Sequence, residues 1–300
     1  MNILITGGAG FLGNEISQLL SKKNKIFLFD LNKIINKKNI FSIKGNINDS
    51  KILKKKIKEY KIDTLIHLAA AIGVEKTEKN PDKVIKINIK GTTNVLKSIE
   101  GSNVKNIIFA SSSEIYGEGN KKKVKETDLP KPKSIYAHTK IIGEQLFKIY
   151  AIKNRINYKI VRFFNVCGKG QKNDFVISKF ADRILNNKEI LIFGNGKQIR
   201  SFCHVKDAAR GFLKVLNKGK NDETYNIGNN SEPINILKLA NKMIKISKKN
   251  CKIKKIPFER SDRSAKREIY YRVPDLSKIR KHTKYKAKIS LDKIISEFYL

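Results

Sequence analysis

The segment MNILITGGAGFLG, residues 1–13, decides the fold of this chain. An apolar run that predicts a buried strand leads directly into the glycine-rich stretch TGGAGFLG, in which Gly8, Gly10 and Gly13 satisfy the spacing GxGxxG. Glycines at this spacing permit a tight turn and a close approach of the backbone to a pyrophosphate, and the helix that follows offers unpaired N–H groups to the phosphates. The segment therefore predicts a dinucleotide-binding turn between a first strand and a first helix.

A carboxylate at the end of the second predicted strand supports this interpretation. Asp30 ends the strand Lys25–Asp30 and lies 17 residues beyond Gly13. An aspartate at this place can accept hydrogen bonds from both hydroxyls of an adenosine ribose, and it would repel a 2′-phosphate. The cofactor is therefore predicted to be NAD rather than NADP.

Alternating strands and helices in the first half predict an α/β fold. The predicted strands are Asn2–Thr6, Lys25–Asp30, Ile40–Lys44, Thr64–Leu68, Asn106–Ser111 and Tyr158–Asn165. The predicted helices are Asn14–Lys22, Ser50–Tyr60, Asp82–Ser98, Tyr136–Lys153, Phe175–Asn186, Asp207–Leu216 and Ile234–Ile246. We expect a Rossmann-type doubly wound parallel sheet, with an NAD-binding domain in residues 1–165. Residues 166–300 are expected to form mainly a smaller substrate-binding lobe whose segments interleave with the sheet.

The composition narrows the classes of function. A net charge of +37 would suit an anionic partner, but the lysines are spread along the whole chain and no motif of nucleic-acid-binding proteins is present. We therefore interpret the charge as compositional drift and expect no nucleic acid partner, although it can attract anionic substrates. Three cysteines without metal-ligand spacing predict no metal site and a cytoplasmic location. No apolar run is long enough to predict a membrane span.

Two further segments carry the residues of a predicted catalytic site. FASSSEIYG (109–117) begins as a buried strand and presents three serines and Glu114 at the strand end, where open parallel sheets bind ligands. YAHTK places Tyr136 and Lys140 one helical turn apart on one face. The neighbouring ammonium and a nicotinamide cation are expected to lower the pKa of Tyr136. The phenolate could then take a proton from a sugar hydroxyl that Ser112 holds in place.

Together with four other segments, these motifs resemble the extended short-chain dehydrogenase/reductases, and among them the nucleotide-sugar epimerases and dehydratases of the UDP-glucose 4-epimerase type. The four others are HLAA (67–70), KINIKGTTNVL (86–96), RFFNVCGKGQ (162–171) and FGNGKQIRSFCHVKDAA (193–209). The resemblance covers nearly the whole chain. It implies tightly held NAD, reversible oxidation at C4 of a nucleoside-diphosphate sugar, and a homodimer.

The resemblance also implies roles for single residues. It makes Ser112, Tyr136 and Lys140 catalytic. The residues that it places beside the cofactor are Gly7, Gly10, Phe11, Leu12, Asp30, Asn32, Asn46, Ile47, Leu68, Ala69, Ala70, Asn88, Ser111, Tyr136, Lys140 and Phe163. Those that it places beside the substrate are Ser112, Ser113, Glu114, Asn165, Arg200 and Arg272. Asn165 and Arg200 look like contacts to the diphosphate. The spacing leaves open which further arginine joins them, the candidates being Arg263, Arg267 and Arg272.

The residues after the catalytic serine bear on the reaction. Dehydratases of this family remove the C5 proton with a glutamate placed as Glu114 is, but those that also use an acid aspartate have it where this chain has Ser113. The segment HLAAAIGVEKTEKNP (67–81) looks like that of sugar 4-epimerases. We therefore expect a 4-epimerase ahead of a dehydratase or decarboxylase with Glu114 as base. An NAD-binding module without catalysis is a further alternative, and the intact catalytic set argues against it.

Overall fold

A seven-stranded parallel sheet forms the centre of the molecule. The computed structural model describes residues 1–119, 122–258 and 268–300 of the chain. In spatial order, the strands of the sheet are β11 (Glu223–Ile227), β6 (Asn157–Phe163), β5 (Asn106–Ser112), β4 (Thr64–His67), β1 (Asn2–Thr6), β2 (Lys25–Asp30) and β3 (Ile40–Lys44). Every neighbouring pair runs parallel. The predicted α/β class with a Rossmann-type doubly wound sheet is confirmed.

Helices cover both faces of this sheet and build much of the second lobe. In chain order they are α1 (Phe11–Leu20), α2 (Ser50–Glu59), α3 (Val74–Lys79), α4 (Pro81–Ile85), α5 (Gly91–Ser98), α6 (Ile135–Asn154), α7 (Val176–Leu185), α8 (Val205–Lys218), α9 (Ile236–Ser247), α10 (Ser277–Thr283) and α11 (Leu291–Ser296). The short strands outside the central sheet are β7 (Val166–Cys167), β8 (Ile190–Phe193), β9 (Ile199–Arg200), β10 (Cys203–His204), β12 (Ile234–Asn235), β13 (Ile253–Ile256) and β14 (Tyr271–Arg272). β7 pairs with β10, β8 pairs with β13, and β9 lies between β12 and β14.

The central strands are continuously apolar because both faces of the sheet are covered. In β1, Ile3 and Ile5 pack into a cluster with α1 and α8, whereas Leu4 packs into a cluster with α2, α5 and α6. Successive side chains of a strand point to opposite faces, so one strand supplies both clusters. A third cluster is built largely from α7, α9 and α11, and all its members come from residues 167–299.

The observed elements differ from the predicted ones at helix ends and within one long helix. α1 begins at Phe11, where the sequence predicts a start at Asn14. The single helix predicted over residues 82–98 is divided, because a π-helical segment, Lys86–Lys90, separates α4 from α5. The elements without a counterpart in the prediction are α3, α10, α11, the strand β11 and the short strands outside the central sheet. Because β11 comes from the second half of the chain and completes the central sheet, the domain boundary at residue 165 stays a prediction.

The strand order brings the functional segments to one edge of the sheet. β1 pairs with β2 on one side and with β4 on the other, so the order of connections reverses at β1. The glycine turn follows β1, while Asp30, His67 and Ser112 end β2, β4 and β5. A crevice at such a reversal is the usual ligand site of an open parallel sheet. Among the described residues, no helix has the length and apolar character needed to cross a membrane.

Candidate active site

A large cleft follows the carboxyl edge of the sheet. Its volume is about 2080 Å³, and residues of the second lobe contribute to its wall. The residues with predicted roles that line it are Gly7, Gly10, Phe11, Leu12, Asp30, Asn32, Asn46, Ile47, Leu68, Ala69, Ala70, Ser111, Ser112, Ser113, Glu114, Tyr136, Lys140, Phe163, Asn165, Arg200 and Arg272. The fold thus brings residues from distant parts of the sequence to one cleft.

The glycine turn after β1 is packed too tightly for side chains. Gly7 has a φ of +72°, and a Cβ on it would lie 2.6 Å from the backbone nitrogen of Ala69. A Cβ on Gly13 would lie 2.6 Å from the carbonyl oxygen of Gly7. Glycine at both positions lets the turn close against the loop after β4 and lets α1 begin beside it, which is the arrangement that receives a pyrophosphate.

Polar groups around this turn fit the predicted NAD. The Asp30 carboxylate accepts hydrogen bonds from the backbone N–H groups of Ala9, at 3.1 Å, and Asn32, at 3.0 Å. These bonds fix the carboxylate, and each oxygen retains a further lone pair that could accept from a ribose hydroxyl. The Ser111 hydroxyl oxygen is buried in the cleft wall without a hydrogen-bond partner among the described residues. A buried polar atom of this kind indicates a ligand or water that completes its bonding.

Asn88 lies behind the cleft surface, in the π-helical segment between α4 and α5. Its side chain is buried, and its Oδ1 accepts a hydrogen bond from the Ala71 backbone N–H at 2.7 Å. Its Nδ2 donates to Thr139 Oγ1 at 3.0 Å. Asn88 therefore joins the loop after β4 to helix α6 and, unlike the other predicted neighbours of the cofactor, does not line the cleft.

The predicted catalytic side chains meet where β5 ends and α6 begins. The Ser112 side chain lies near the Tyr136 hydroxyl and lowers its pKa, and the Ser112 oxygen accepts a hydrogen bond from the Glu114 backbone N–H at 3.2 Å. Ser134 caps α6 by accepting from the Ala137 N–H at 3.2 Å. This cap starts the helix immediately before Tyr136, which places the phenol in the first turn.

The protein's own residues raise the pKa of Tyr136 rather than lower it. Burial raises this pKa to about 12, and the negative charge of Glu114 adds to the rise. The hydrogen bond with Ser112 and the positive charge of Arg272 act in the opposite direction. Taking a phenolate out of water is unfavourable, so the protein groups alone leave this pKa raised. The lowering expected from the sequence includes the charge of a nicotinamide cation and stays a prediction.

Lys140 is held by the backbone at the end of β5. Its Nζ donates a hydrogen bond to the Ala110 carbonyl oxygen at 2.8 Å, and it lies 4.9 Å from the centroid of the Phe109 ring. Burial lowers the pKa of Lys140 to about 8, while the negative charge of Glu144 opposes this. Lys140 therefore joins the catalytic helix to the strand that carries Ser112.

Two arginines with predicted substrate roles line the cleft, and each is paired with a carboxylate. Arg272 Nη1 lies 2.5 Å from Glu114 Oε1, and Arg272 Nη2 donates to Asn165 Oδ1 at 2.9 Å. Arg200 Nη2 donates to Glu268 Oε1 at 3.0 Å. Anionic groups of a ligand would therefore compete with carboxylates that these arginines already contact.

Of the three arginines that the sequence leaves open, Arg272 is the one that the structure brings into the cleft. Arg263 and Arg267 lie outside the described residues. The choice among the three as a ligand for the diphosphate stays a prediction.

The sequence analysis missed charged residues that line the cleft from short or irregular segments. Glu78 of α3 accepts from the Ile135 N–H, at the start of the catalytic helix, at 3.2 Å. Lys133 donates to the Glu268 carbonyl oxygen at 2.8 Å. In a chain with 64 lysines and arginines, an isolated charge in a loop carries no spacing signal that could have identified it.

The buried histidine His67 has a structural place at the end of β4. Its Nδ1 lies 2.6 Å from Thr6 Oγ1, and its Nε2 lies 3.0 Å from Thr92 Oγ1. Burial and the charge of Lys140 lower the pKa of His67 to about 3, so the ring is neutral at physiological pH. Over residues 1–119, 122–258 and 268–300, no three His, Cys, Asp or Glu side chains are grouped to hold a metal ion.

Comparison with known proteins connects this cleft to an enzyme family. The model of the NAD dependent epimerase/dehydratase family matches residues 3–228. A putative UDP-glucose 4-epimerase from Methanocaldococcus jannaschii is 38% identical over 77% of each chain. A UDP-N-acetyl-alpha-D-glucosaminuronate decarboxylase from Bacillus cytotoxicus is 30% identical over 98% of this chain and 95% of the relative. The crystal structure of UDP-glucuronic acid 4-epimerase from Bacillus cereus, in complex with UDP-glucuronic acid and NAD, is similar with a TM-score of 0.89, 29% identity, and coverage of 100% and 98%.

Proposed function

The chain belongs to the NAD dependent epimerase/dehydratase family, and from that premise we propose that it is a nucleotide-sugar 4-epimerase. It is an NAD-dependent enzyme, and its substrate is a nucleoside-diphosphate sugar that it oxidises transiently at C4. The observation that carries the proposal is the meeting of Ser112, Tyr136 and Lys140 in the cleft that also contains the glycine turn. A binding module without catalysis would not need this set.

The side chains of the cleft can move the proton that the reaction requires. Tyr136 takes the proton of the C4 hydroxyl as base and returns it as acid, while Ser112, which lies near the phenol, orients the same hydroxyl. Lys140 holds the first turn of α6 against the end of β5 through Ala110. The chemistry that bound NAD supplies is the reversible acceptance of hydride from C4.

NAD is held, in this proposal, by the glycine turn and by residues at the ends of β2 and β4. Gly7 and Gly10 leave room for the pyrophosphate, Asp30 accepts from the adenosine ribose, and Ser111 offers its unpartnered hydroxyl. Arg200 and Asn165, which line the same cleft, serve the substrate diphosphate. The bidentate geometry of a guanidinium suits a phosphate.

Two observations support epimerisation over elimination at C5. Ser113 stands where dehydratases with an acid aspartate have that residue, and a serine cannot protonate a departing hydroxyl as readily. The carboxylate of Glu114 is engaged with Arg272 at 2.5 Å. A base for the C5 proton would have to loosen this pair before it could act.

A dehydratase or decarboxylase is the second candidate, and the position of Glu114 favours it. This carboxylate lines the same cleft, two residues after the catalytic Ser112. The relative from Bacillus cytotoxicus, which matches almost the full chain, is a decarboxylase. In a dehydratase, the C4 ketone makes the C5 proton acidic and Glu114 is a candidate to remove it. In a decarboxylase, carbon dioxide leaves C5 and Glu114 is a candidate to deliver the proton that replaces it.

A panel of UDP-, dTDP-, GDP- and CDP-sugars in deuterated water, followed by NMR of the products, tests the proposal. We expect inversion at C4 without deuterium at C5, and we expect Glu114→Gln to keep this reaction. Deuterium at C5 with loss of the C6 hydroxyl or of carbon dioxide, abolished by Glu114→Gln, would replace the epimerase with the second candidate. Salt-dependent RNA binding without turnover of any sugar would favour a binding module.

The proposal includes a homodimer in a reducing cytoplasm. Helix α6 exposes Ile142, Ile149 and Ile152, which are 40%, 64% and 72% exposed. Their spacing of seven and three residues puts them on one helix face, and a second copy of the chain would bury them. The three cysteines are free thiols, which is the state expected in a reducing compartment.

A further inference from the structure

Arg272 is held in the wall of the cleft by a set of short contacts. Its Nη1 lies 2.5 Å from Glu114 Oε1, and its Nη2 donates to Asn165 Oδ1 at 2.9 Å. Asn165 is in turn fixed through a hydrogen bond from its Nδ2 to the Ser201 carbonyl oxygen at 2.9 Å. The guanidinium is nearly buried, with its side chain 10% exposed. The positive charge of Arg272 is therefore fixed in position beside Glu114 and Asn165.

The segment that carries Arg272 is anchored to the loop that carries Glu114. The Glu118 carboxylate accepts from the backbone N–H groups of Tyr270, at 2.6 Å, and Tyr271, at 2.9 Å. The Gly119 N–H donates to the Tyr271 carbonyl oxygen at 3.1 Å. Glu114 and Arg272 are therefore brought together by their backbones as well as by their charges.

This pair is connected to the catalytic phenol. The Glu114 backbone N–H donates to Ser112 Oγ at 3.2 Å, and the Ser112 side chain lies near the Tyr136 hydroxyl and lowers its pKa. The carboxylate and the guanidinium both lie close enough to the phenol to act on its ionisation, in opposite directions. Neither effect requires a bound substrate.

We propose that Arg272 is a positioning residue for catalysis: by holding the Glu114 carboxylate, it neutralises the negative charge that Glu114 would otherwise present to the Tyr136 hydroxyl. This inference rests on the proposed function, in which Tyr136 is the base. It gives Arg272 a role beside the catalytic phenol, whereas Arg200 is the arginine proposed for the diphosphate. An unpaired carboxylate beside the phenol would disfavour the phenolate that removes the substrate proton.

Other charged groups also face the first turn of α6, and they define the controls. Lys140 lies 5.8 Å from the centroid of the Tyr136 ring, and Glu78 binds the Ile135 N–H from α3. Arg200 is the matched comparison for Arg272, because it lines the same cleft and is also paired with a carboxylate, Glu268. Replacing Arg200 removes an equal charge without separating Glu114 from its partner.

Tyrosine labelled with ¹³C at Cζ reports the ionisation of Tyr136 directly in the NAD-loaded protein, and the signal missing from Tyr136→Phe assigns it. We expect Arg272→Gln to move the titration of Tyr136 to higher pH by about one unit, and Glu114→Gln to move it lower by about one unit. The double variant should return near the wild-type value. Arg272→Lys should restore most of the effect, and Arg200→Gln should leave the titration within about a third of a unit.

The inference is overturned if Arg272→Gln shifts the Tyr136 titration no further than Arg200→Gln, or if adding Glu114→Gln fails to reverse the shift. A rise in KM without change in kcat or in the titration would make Arg272 a substrate contact only. If Arg272→Gln does not fold, Glu114→Gln decides, since an unchanged titration in it refutes the inference. The titration needs no substrate, so it can be measured even if the protein turns over no nucleotide sugar. A failure of this inference can therefore be distinguished from a failure of the proposed function.

Discussion

The Lys140 ammonium donates a hydrogen bond to the Ala110 carbonyl oxygen, 2.8 Å away, and thereby joins the catalytic helix to the strand that carries the catalytic serine. The side chain is 4% exposed. Burial lowers its pKa to about 8 from the usual 10.5. The same lysine that organises the site is therefore unfavourable for stability while it is charged.

Substitution of Lys140 by Met should change how stability depends on pH. Between pH 8 and 10.5 the unfolded chain binds the proton that the folded chain has released, so wild-type stability rises with pH across this window. The shift of about 2.5 units corresponds to roughly 3 kcal/mol of the rise in the free energy of unfolding with pH. Lys140→Met should abolish this part of the rise. Urea unfolding at pH 7.5 and pH 10 measures it. Lys153→Met, at an exposed lysine of the same helix, is the control, and an identical pH dependence in both variants would contradict the prediction.

Substitution of Tyr136 by Phe should abolish most turnover and keep NAD bound. The change removes only the hydroxyl that lies near Ser112, so we expect the glycine turn and the fold to be unaffected. Loss of a general acid–base group lowers kcat by about 10²- to 10⁴-fold. Steady-state kinetics measure the loss of turnover, and the NAD content of the purified protein measures the retention of NAD. Tyr150→Phe, on the same helix, should behave as wild type. Full activity in Tyr136→Phe would remove Tyr136 as the base.

Substitution of Gly7 by Ala should destabilise the protein and weaken NAD binding. Gly7 and Gly101 both have positive φ, at +72° and +67°, so an alanine at either pays the same backbone strain. At Gly7 the new Cβ would also lie 2.6 Å from the Ala69 nitrogen, whereas at Gly101 no atom lies within 4 Å. We expect Gly7→Ala to lose about 1–3 kcal/mol more than Gly101→Ala in urea unfolding. Equal losses would show that the close approach is not limiting.

Substitution of Asp30 by Ala should weaken the binding of NAD and reduce the preference for NAD over NADP. The carboxylate fixes the backbone at Ala9 and Asn32 and would accept from the ribose. Hydrogen bonds to a charged group contribute about 1.5–3 kcal/mol, which predicts a rise in the Kd of NAD of roughly tenfold or more. Isothermal titration with both cofactors measures this, and the ratio of the two constants controls for a general loss of binding. An unchanged ratio would contradict the role of Asp30 in selecting NAD.

Placing charges on the exposed face of α6 should separate the proposed dimer. The double variant Ile149→Lys, Ile152→Lys introduces two lysines where a second copy would bury isoleucines that are 64% and 72% exposed. We expect a sedimentation coefficient of a monomer, against a dimer for wild type. Leu129→Lys alters a side chain that is 79% exposed elsewhere and should leave the dimer intact. A monomeric wild-type protein would end the proposal of a homodimer.

The parts of the molecule that the sequence predicts are those encoded in short, local patterns. The strand Asn2–Thr6, the glycine turn and the pair of Tyr136 and Lys140 each lie within a few residues of one another, so period and spacing identify them. The seven strands of the sheet include six that the apolar runs predict, with bounds that differ by one or two residues. The family resemblance then connects these patterns to one cleft.

The remaining features depend on contacts between distant segments. No local pattern could have paired Glu114 with Arg272, which come together because Glu118 holds the backbone of Tyr270 and Tyr271. The raised pKa of Tyr136 depends on burial, which spacing along a helix does not measure. The π-helical segment at Asn88 likewise follows from bonds to Ala71 and Thr139 rather than from helix propensity.

The late position of β11 in the chain has a consequence for biosynthesis. β11 pairs with β6 from Glu223 to Ile227, long after the other six strands have been translated. Before these residues leave the ribosome, the nascent chain contains the other six strands of the sheet, and β6 has an unpaired edge. Such an edge is a template for pairing with another chain, so slow translation before codon 227 should favour aggregation on the ribosome and increase the demand for chaperones.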